Sequence, residues 1–185
     1  MSHIDVGGVL RQAVHQGYTD LVTRSTGMAV RHSIERELSA LKDGTVTALD
    51  FTHVGMIDYS CADEVVAKLL LLVAGNEIPR GAYVVVRGLT EYHLEAIEAV
   101  LDHRGLALVV LVEDGGARLV GAVNEDERRA WHVVHTRGRT HARDVAAEAG
   151  LDEDAAENLL EALMRRRLLI RLSGEYAAVG TAAVS

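Results

Sequence analysis

The chain has 185 residues, of which 49% are hydrophobic and 25% are charged, and its formal net charge at pH 7 is −8. This composition is typical of one globular domain or two small ones, and so acidic a chain is not built as a whole to attract nucleic acid. No run of 18 apolar residues predicts a membrane span, and the first residues do not have the pattern of a signal peptide. The single cysteine, Cys61, excludes an internal disulfide, and we expect a cytoplasmic protein.

The first two thirds of the chain predict alternating strands and helices. The predicted strands are 18–26, 45–51, 82–88 and 106–113, and the predicted helices are 28–42, 61–74 and 91–104. Apolar residues recur at helical spacing in the helices, whereas β-branched or continuous apolar runs mark the strands. Asp114-Gly115-Gly116 predicts a turn into a last strand within 117–123. This order predicts an α/β domain over residues 1–123.

The remainder predicts three helices and a hairpin. Asn124, Thr140 and Asp152 are capping residues at the starts of three amphipathic segments. Two short apolar runs around Ser173-Gly174 predict a terminal β-hairpin. Three helices with a short turn between the second and third, followed by a hairpin, predict a winged helix-turn-helix domain over residues 124–185, a small α+β fold.

The stretch "TALDFTHVGMIDYSCADEVVAKLL" (47–70) joins a strand, a short loop and a helix. It resembles the STAS family, the fold of anti-sigma factor antagonists, over about residues 20–110. A STAS-like group of unknown function is more similar, because it has a G-x-x-x-R segment, a helix, a glycine, a strand with Asp-Phe and an acidic segment in this order. The matching residues here are Gly27, Arg31, Gly44, Asp50-Phe51 and Ser60–Glu64.

The resemblance implies a STAS-like mixed sheet and a protein partner, namely a kinase-like ATPase or an anti-sigma-type protein. It places a partner-binding or switch loop at Asp58, Tyr59, Ser60, Cys61, Asp63 and Glu64. In similar proteins the regulatory serine directly follows the loop aspartate. Here Tyr59 takes that place, Ser60 follows it, and Cys61 takes the place of the family's glycine.

Ser60 has two interpretations from the residues alone. Ser60-Cys61-Ala62-Asp63 fits the capping pattern in which a hydroxyl accepts the Asp63 N–H. Alternatively, a phosphate on Ser60 would meet the free N–H groups of a helix start and would add negative charge beside Asp58 and Asp63. Asp58 is expected to shape the loop, and Tyr59 is expected to be an exposed or half-buried contact residue.

No set of residues predicts an enzyme, a cofactor or a metal site. Asp50 has no partner at a spacing for acid–base catalysis and is read as a hydrogen-bonding residue at a strand end. Cys61 has no base at a recognisable spacing and is read as a structural thiol. His132 and His135 lie three residues apart, but neither a cysteine nor a matched carboxylate completes a set of ligands.

The predicted winged helix does not have the charge pattern of a groove-reading module. The helix that normally enters the DNA groove, the second of the helix-turn-helix, begins with Asp152-Glu153-Asp154. These residues are acidic, whereas phosphate binding depends on Lys and Arg. The candidate nucleic-acid contacts lie elsewhere, at Arg139, Arg143, Arg165, Arg166, Arg167 and Arg171.

The sequence therefore predicts a non-enzymatic bacterial regulatory protein in which the STAS-like domain binds a protein and the winged helix supplies a second contact or an output. The alternative is a DNA-binding transcriptional regulator with a STAS-like sensing or dimerisation domain.

Leu71 and Leu72 fall outside the inward stripe of their helix, so they are either covered by the N-terminal segment or part of a homodimer or partner surface.

Overall fold

The computed structural model describes residues 1–78, 82–113 and 115–181 and has the predicted α/β class. The strands are β1 (Ser2–Asp5), β2 (Val46–Asp50), β3 (Tyr83–Arg87), β4 (Ala107–Leu111), β5 (Ala117–Gly121), β6 (Leu169–Leu172) and β7 (Glu175–Ala178). The α-helices are α1 (Val6–Ala13), α2 (Arg24–Ser39), α3 (Tyr59–Ala62), α4 (Leu69–Ala74), α5 (Glu91–Arg104), α6 (Glu125–Arg137), α7 (Ala142–Ala149) and α8 (Glu153–Arg165). A π-helical segment, Asp63–Lys68, joins α3 to α4.

The main sheet is mixed and has the strand order β1-β2-β3-β4-β5. Its first four strands are parallel, with helical connections between them, and β5 pairs antiparallel with β4 as the hairpin partner that the sequence predicts. The register sets Ile4 opposite Leu49, and Leu49 opposite Val86. Since side chains alternate along a strand, these three lie on one face of the sheet.

Both faces of the sheet are covered, by different parts of the chain. Leu49 and Val86 belong to a core formed with apolar residues of α1 to α5 and of the π-helical segment. On the other face, Val85 and Val109 share a second core with apolar residues of the C-terminal helices and hairpin, including Trp131. The central strand β3 is therefore buried on both faces, as its continuous apolar sequence predicts.

The C-terminal helices and hairpin lie close to their predicted positions. Asn124 begins α6 with a capping box in which it accepts the Glu127 N–H, and Asp152 accepts the Ala155 N–H at the start of α8. Ser173 and Gly174 both have positive φ, of 52° and 91°, which is the backbone of a type I′ hairpin turn. The winged-helix assignment of these elements remains a prediction.

Thr140 does not cap α7, contrary to the prediction. The N-cap is His141, which makes no side-chain capping hydrogen bond. Thr140 is buried and pairs through its backbone with Tyr176 of β7, by two hydrogen bonds of 3.1 and 2.8 Å. The bridge to the hairpin fixes Thr140 in extended backbone and moves the helix start by one residue.

The predicted strand at 18–26 is wrong. Within it only Leu21 makes a bridge, to Ile57, and α2 already begins at Arg24 because the Thr23 hydroxyl accepts the Thr26 N–H. The first strand of the sheet is instead β1, and neither it nor α1 was predicted. In the predicted turn before β5, Asp114 lies outside the described residues.

Within the described ranges, no helix has the length and apolarity needed to cross a bilayer.

Candidate functional site

Asp58, rather than Ser60, caps the helix at the predicted switch loop. The Asp58 carboxylate accepts hydrogen bonds from the Cys61 N–H at 2.7 Å and from the Ser60 hydroxyl at 2.9 Å. The helix therefore begins at Tyr59, and Ser60 lies inside its first turn. The predicted pairing of Ser60 with Asp63 is wrong, because aspartate caps a helix as well as serine does and comes first here.

The Asp58 carboxylate also closes the loop onto a second segment. It accepts the Thr23 N–H at 3.3 Å, so one side chain holds the starts of α2 and α3 together. Burial alone would raise the pKa of Asp58, but the hydrogen bonds from Cys61, Ser60 and Thr23 outweigh it and the net pKa is lowered. Asp58 therefore stays ionised and links the starts of α2 and α3 through its hydrogen bonds.

Asp63 and Glu64 are almost completely buried and lie at the centre of an ion-pair network. Asp63 pairs with Arg24 at 3.1 Å and with Arg104 at 2.7 Å. Glu64 pairs with Arg24 at 3.0 Å and with Arg31 at 3.2 Å. Lys68 also contacts Glu64, and Glu35 contacts Arg31.

The network explains why two carboxylates can sit in the core. Burial would raise the pKa of both, but hydrogen bonds from Arg104 and Arg24 at Asp63, and from Lys68, Arg24 and Arg31 at Glu64, lower both pKa values on balance. The cations lie further out than the acids, since the Arg24 side chain is 55% exposed and the Asp63 side chain 4%. Paired in this way, the two acids hold α2, α5 and the π-helical segment together.

The sequence motifs of the STAS-like resemblance meet in this network. An added Cβ at Gly27 would lie 3.0 Å from Cys61 Cα and 3.1 Å from Glu64 Cβ, so a larger residue would require α2 or its neighbours to shift. One turn later on α2, Arg31 donates to Glu64. The G-x-x-x-R segment and the acidic segment are therefore two sides of one contact. Sequence reasoning missed Arg24 and Arg104, because no local pattern connects them to acids about 40 residues away.

The Cys61 thiol is buried. Its Sγ lies 2.9 Å from the Thr23 carbonyl oxygen. Burial, together with the charge of Asp58, raises the pKa of Cys61 to about 12. A thiol with this pKa is almost entirely protonated near neutral pH, and the thiolate is the nucleophilic form.

Tyr59 and two apolar residues of the bridged segments next to it are exposed. The bridged residues Leu21 and Ile57 point inward and are buried, so by strand alternation Val22 and Met56 point outward. Met56 is 54% exposed, and Tyr59, in the adjoining helix start, is 45% exposed. We call Val22, Met56 and Tyr59 the loop patch. The Tyr59 ring packs edge-on against His103 of α5, with 6.5 Å between the ring centroids.

Asp50 ends β2 as a hydrogen-bonded strand residue, as predicted. It accepts from Arg87 and contacts His3 Nε2, each at 2.9 Å, and it accepts the Thr52 N–H. Burial would raise the pKa of Asp50, but these partners lower it well below the usual range. Among the described residues, no three His, Cys, Asp or Glu side chains are grouped so as to hold a metal.

Two of the six candidate nucleic-acid arginines are tied into the protein. Arg166 pairs with Glu127 at 3.1 Å and donates to the Ala122 carbonyl. Arg167 donates to Asn76, and its guanidinium carbon lies 5.4 Å from the Tyr83 ring centroid. Both join the C-terminal elements to the rest of the chain. Both guanidinium groups therefore already have partners within the protein, which the prediction did not assume.

The other four arginines are spread over α7, the segment before it, α8 and β6. The Arg143 side chain is 69% exposed on α7, Arg139 precedes α7, Arg165 ends α8 and Arg171 lies on β6. Arg171 also stacks on Tyr176, with 5.3 Å between the guanidinium carbon and the ring centroid. The acidic start predicted for the recognition-type helix is present, because Glu153 and Asp154 occupy the first turn of α8 and are exposed.

Leu71 and Leu72 differ in their surroundings. Leu71 is 44% exposed on α4, whereas Leu72 is partly buried against the first core. The expected alternative of deep burial therefore fails for Leu71. The exposure of a single leucine does not show that this helix forms a partner-binding surface.

No protein-family model matches the chain, and no curated protein is significantly similar to it in sequence.

Proposed function

We propose that this chain is a non-enzymatic regulatory protein of the bacterial STAS-like kind that binds a protein partner through the loop patch. The observation that carries the proposal is the exposed Tyr59 of the segment that the resemblance marks as the switch loop, with the exposed residues Met56 and Val22 on the two bridged segments beside it. Tyrosine at the centre of such a surface is a frequent anchor of protein interfaces, because it combines a large apolar ring with a polar tip.

The buried network supports this proposal by holding the patch in place. Asp58 joins the two segments of the patch, and Asp63 and Glu64 fix the helix behind it to α2 and α5. A surface that is ordered before binding loses less conformational entropy on association. The network therefore prepares the patch for a partner, without any catalytic role for its acids.

The same contacts favour a contact surface over a serine switch. The Ser60 hydroxyl donates to the Asp58 carboxylate at 2.9 Å. A phosphate on Ser60 could no longer donate and would face the ionised carboxylate at close range. Tyr59, which takes the position of the family's serine, instead turns its side chain to the surface.

A kinase-like ATPase or an anti-sigma-type protein is the partner class that the resemblance implies. For the C-terminal elements we propose a second protein contact rather than groove reading of DNA. The acidic first turn of α8 and the internal contacts of Arg166 support this choice, since DNA binding depends on cations free to meet phosphates.

The test is affinity capture from a native lysate of the source cells with the full chain as bait. We expect one partner of the ATPase or anti-sigma class to bind the parent and to be lost with Tyr59→Ala. Tyr92→Ala is the matched control: Tyr92 is an 80% exposed tyrosine of α5. It lies roughly 16 Å along the helix from His103, against which Tyr59 packs.

Two results would reject the proposal. Captured proteins that are unchanged by Tyr59→Ala would remove the loop patch as the contact. Salt-sensitive binding of random duplex DNA, weakened by Arg143→Ala or Arg165→Ala, would favour the transcriptional regulator instead.

A further inference from the structure

A cleft of about 560 Å³ lies where the C-terminal elements meet the end of α4 and the start of β3. One side comes from the first part of the chain, with Ala74, Asn76 and Tyr83. The other side comes from the end of α8 and from β6, and it includes three arginines, Arg165, Arg167 and Arg171. The cleft is separate from the loop patch, with which it shares no residue.

The cleft has a positively charged lining. No carboxylate lines it, and within the described residues none of its three arginines forms an ion pair. Arg165 and Arg171 are exposed, and Arg171 keeps only a ring contact with Tyr176. Three unpaired guanidinium groups around one cleft are unusual in a chain whose net charge is −8.

Arg167 is oriented by its neighbours rather than neutralised by them. It donates one hydrogen bond to the Asn76 side chain, and its guanidinium lies over the Tyr83 ring. A guanidinium group has five N–H donors, so most of them remain for a ligand. The stacking and the amide contact reduce the freedom of Arg167, as expected of a group held ready for an anion.

We infer that this cleft binds a phosphate ester. Arginine is the residue best suited to phosphate, because its planar fork donates two parallel hydrogen bonds to phosphate oxygens. The floor adds apolar surface from Ala74, Met164 and Ile170, and the volume lies within the range of small-molecule sites, about 300–1,000 Å³. The ligand class is therefore a small organic phosphate of nucleotide size, and a phosphate of a nucleic-acid backbone offers the same chemistry from a second source.

A bound phosphate would bridge the two parts of the chain. Its anionic end would contact Arg165, Arg167 and Arg171 on one side, while the body of the ligand would lie against the Ala74 side of the cleft. Since a ligand that binds only the folded state stabilises it, binding also raises the melting temperature.

The experiment is calorimetric titration of the full chain with ATP, inorganic pyrophosphate, adenosine and a short DNA duplex. We expect ATP and pyrophosphate to bind, ATP more tightly because of the apolar floor, and adenosine to give no signal. The double variant Arg165→Ala/Arg171→Ala is expected to weaken ATP binding by about tenfold or more. Arg143→Ala removes an exposed arginine outside the cleft and is expected to bind like the parent.

Urea denaturation shows whether each variant is folded. The double variant loses the stacking of Arg171 on Tyr176, which would destabilise it. Arg171→Lys is therefore a second variant, because it keeps a cation at this position. Binding of the duplex but not of ATP, with the same loss in the double variant, would assign the phosphate to a nucleic-acid backbone. The inference is overturned if neither ATP, pyrophosphate nor duplex binds the parent at about 1 mM, or if the double variant binds as the parent does.

Discussion

Arg31 Nε donates a hydrogen bond to Glu64 Oε2 at 3.2 Å and thereby joins α2 to the π-helical segment behind the loop patch. Both side chains are withdrawn from solvent, with 13% of Arg31 and 2% of Glu64 exposed. π-Helical turns are rare and are frequent at functional sites. Here the π-helical segment begins at the two acids, so the irregular turn and the network occupy the same place.

Removing Arg31 is expected to destabilise the fold more than removing a surface arginine of the same helix. Arg31→Ala leaves the buried Glu64 with Arg24 and Lys68 alone, and we expect the free energy of unfolding to fall by about 2 kcal/mol. Arg36→Ala, on the exposed side of α2, is the control and should change it by less than about 0.5 kcal/mol. Urea denaturation measures both, and equal effects would show that the Arg31 contact is not significant.

The network also predicts a dependence of stability on pH. The pKa values of Asp63 and Glu64 are lowered in the folded state from 3.8 and 4.5, so the unfolded chain binds more protons as the pH falls. Their contribution is therefore complete above the unfolded values and is lost as the pH falls through the folded ones.

We expect the free energy of unfolding to decrease steeply below about pH 4.5. The double variant Asp63→Asn/Glu64→Gln, if it folds, should be less stable at pH 7 and should have a shallower slope in this range. A variant with the parent's slope would assign acid unfolding to other carboxylates, of which Asp50 and Asp58 also have lowered pKa values.

Cys61 is expected to resist thiol reagents in the native protein. With a pKa of about 12, its thiolate fraction at pH 8 is roughly one in ten thousand, and the Sγ is buried. A disulfide reagent at pH 8 should label the urea-unfolded chain within minutes and the folded chain only as fast as it opens. Rapid labelling of the folded chain would contradict the raised pKa and would make Cys61 a candidate nucleophile.

The capping assignment separates Asp58 from its neighbour. Asp58→Ala removes the acceptor of the Cys61, Ser60 and Thr23 hydrogen bonds, and we expect a loss of about 1–2 kcal/mol in the free energy of unfolding. Ser60→Ala removes only one donor to Asp58 and should cost less than half as much. The reverse order would reinstate Ser60 as the cap, and Asp58→Ser, which keeps a capping oxygen, should recover part of the loss.

The sequence predicts those features that depend on local patterns. The helix α5, the capped starts of α6 and α8 and the Ser173-Gly174 hairpin follow from periodicity, capping residues and turn chemistry. The four-residue strand β1 is too short to show a periodic pattern. The sequence around Leu21 predicts a strand, but in the structure Leu21 makes only an isolated bridge. At the site, the pattern around Ser60 correctly indicates a helix start but names the wrong cap.

The contacts over long sequence separations could not be predicted. Arg24 and Arg104 approach Asp63 only after the fold is formed, and nothing in their local sequence distinguishes them from surface arginines. Arg166 shows the opposite case. It was read as a surface cation because it lies in a basic run, whereas the fold places it on Glu127.

The coverage of the sheet by both ends of the chain bears on how the protein emerges from the ribosome. The second face of the sheet begins with Val46, but the side chains that close it include Leu169 and Val179. Until the C-terminal helices and hairpin have been synthesised, the valines of this face are not fully covered, although the helices of the first face are already available. For most of its translation, the nascent chain exposes an apolar sheet face that is not yet covered. We expect it to depend on chaperones during that interval.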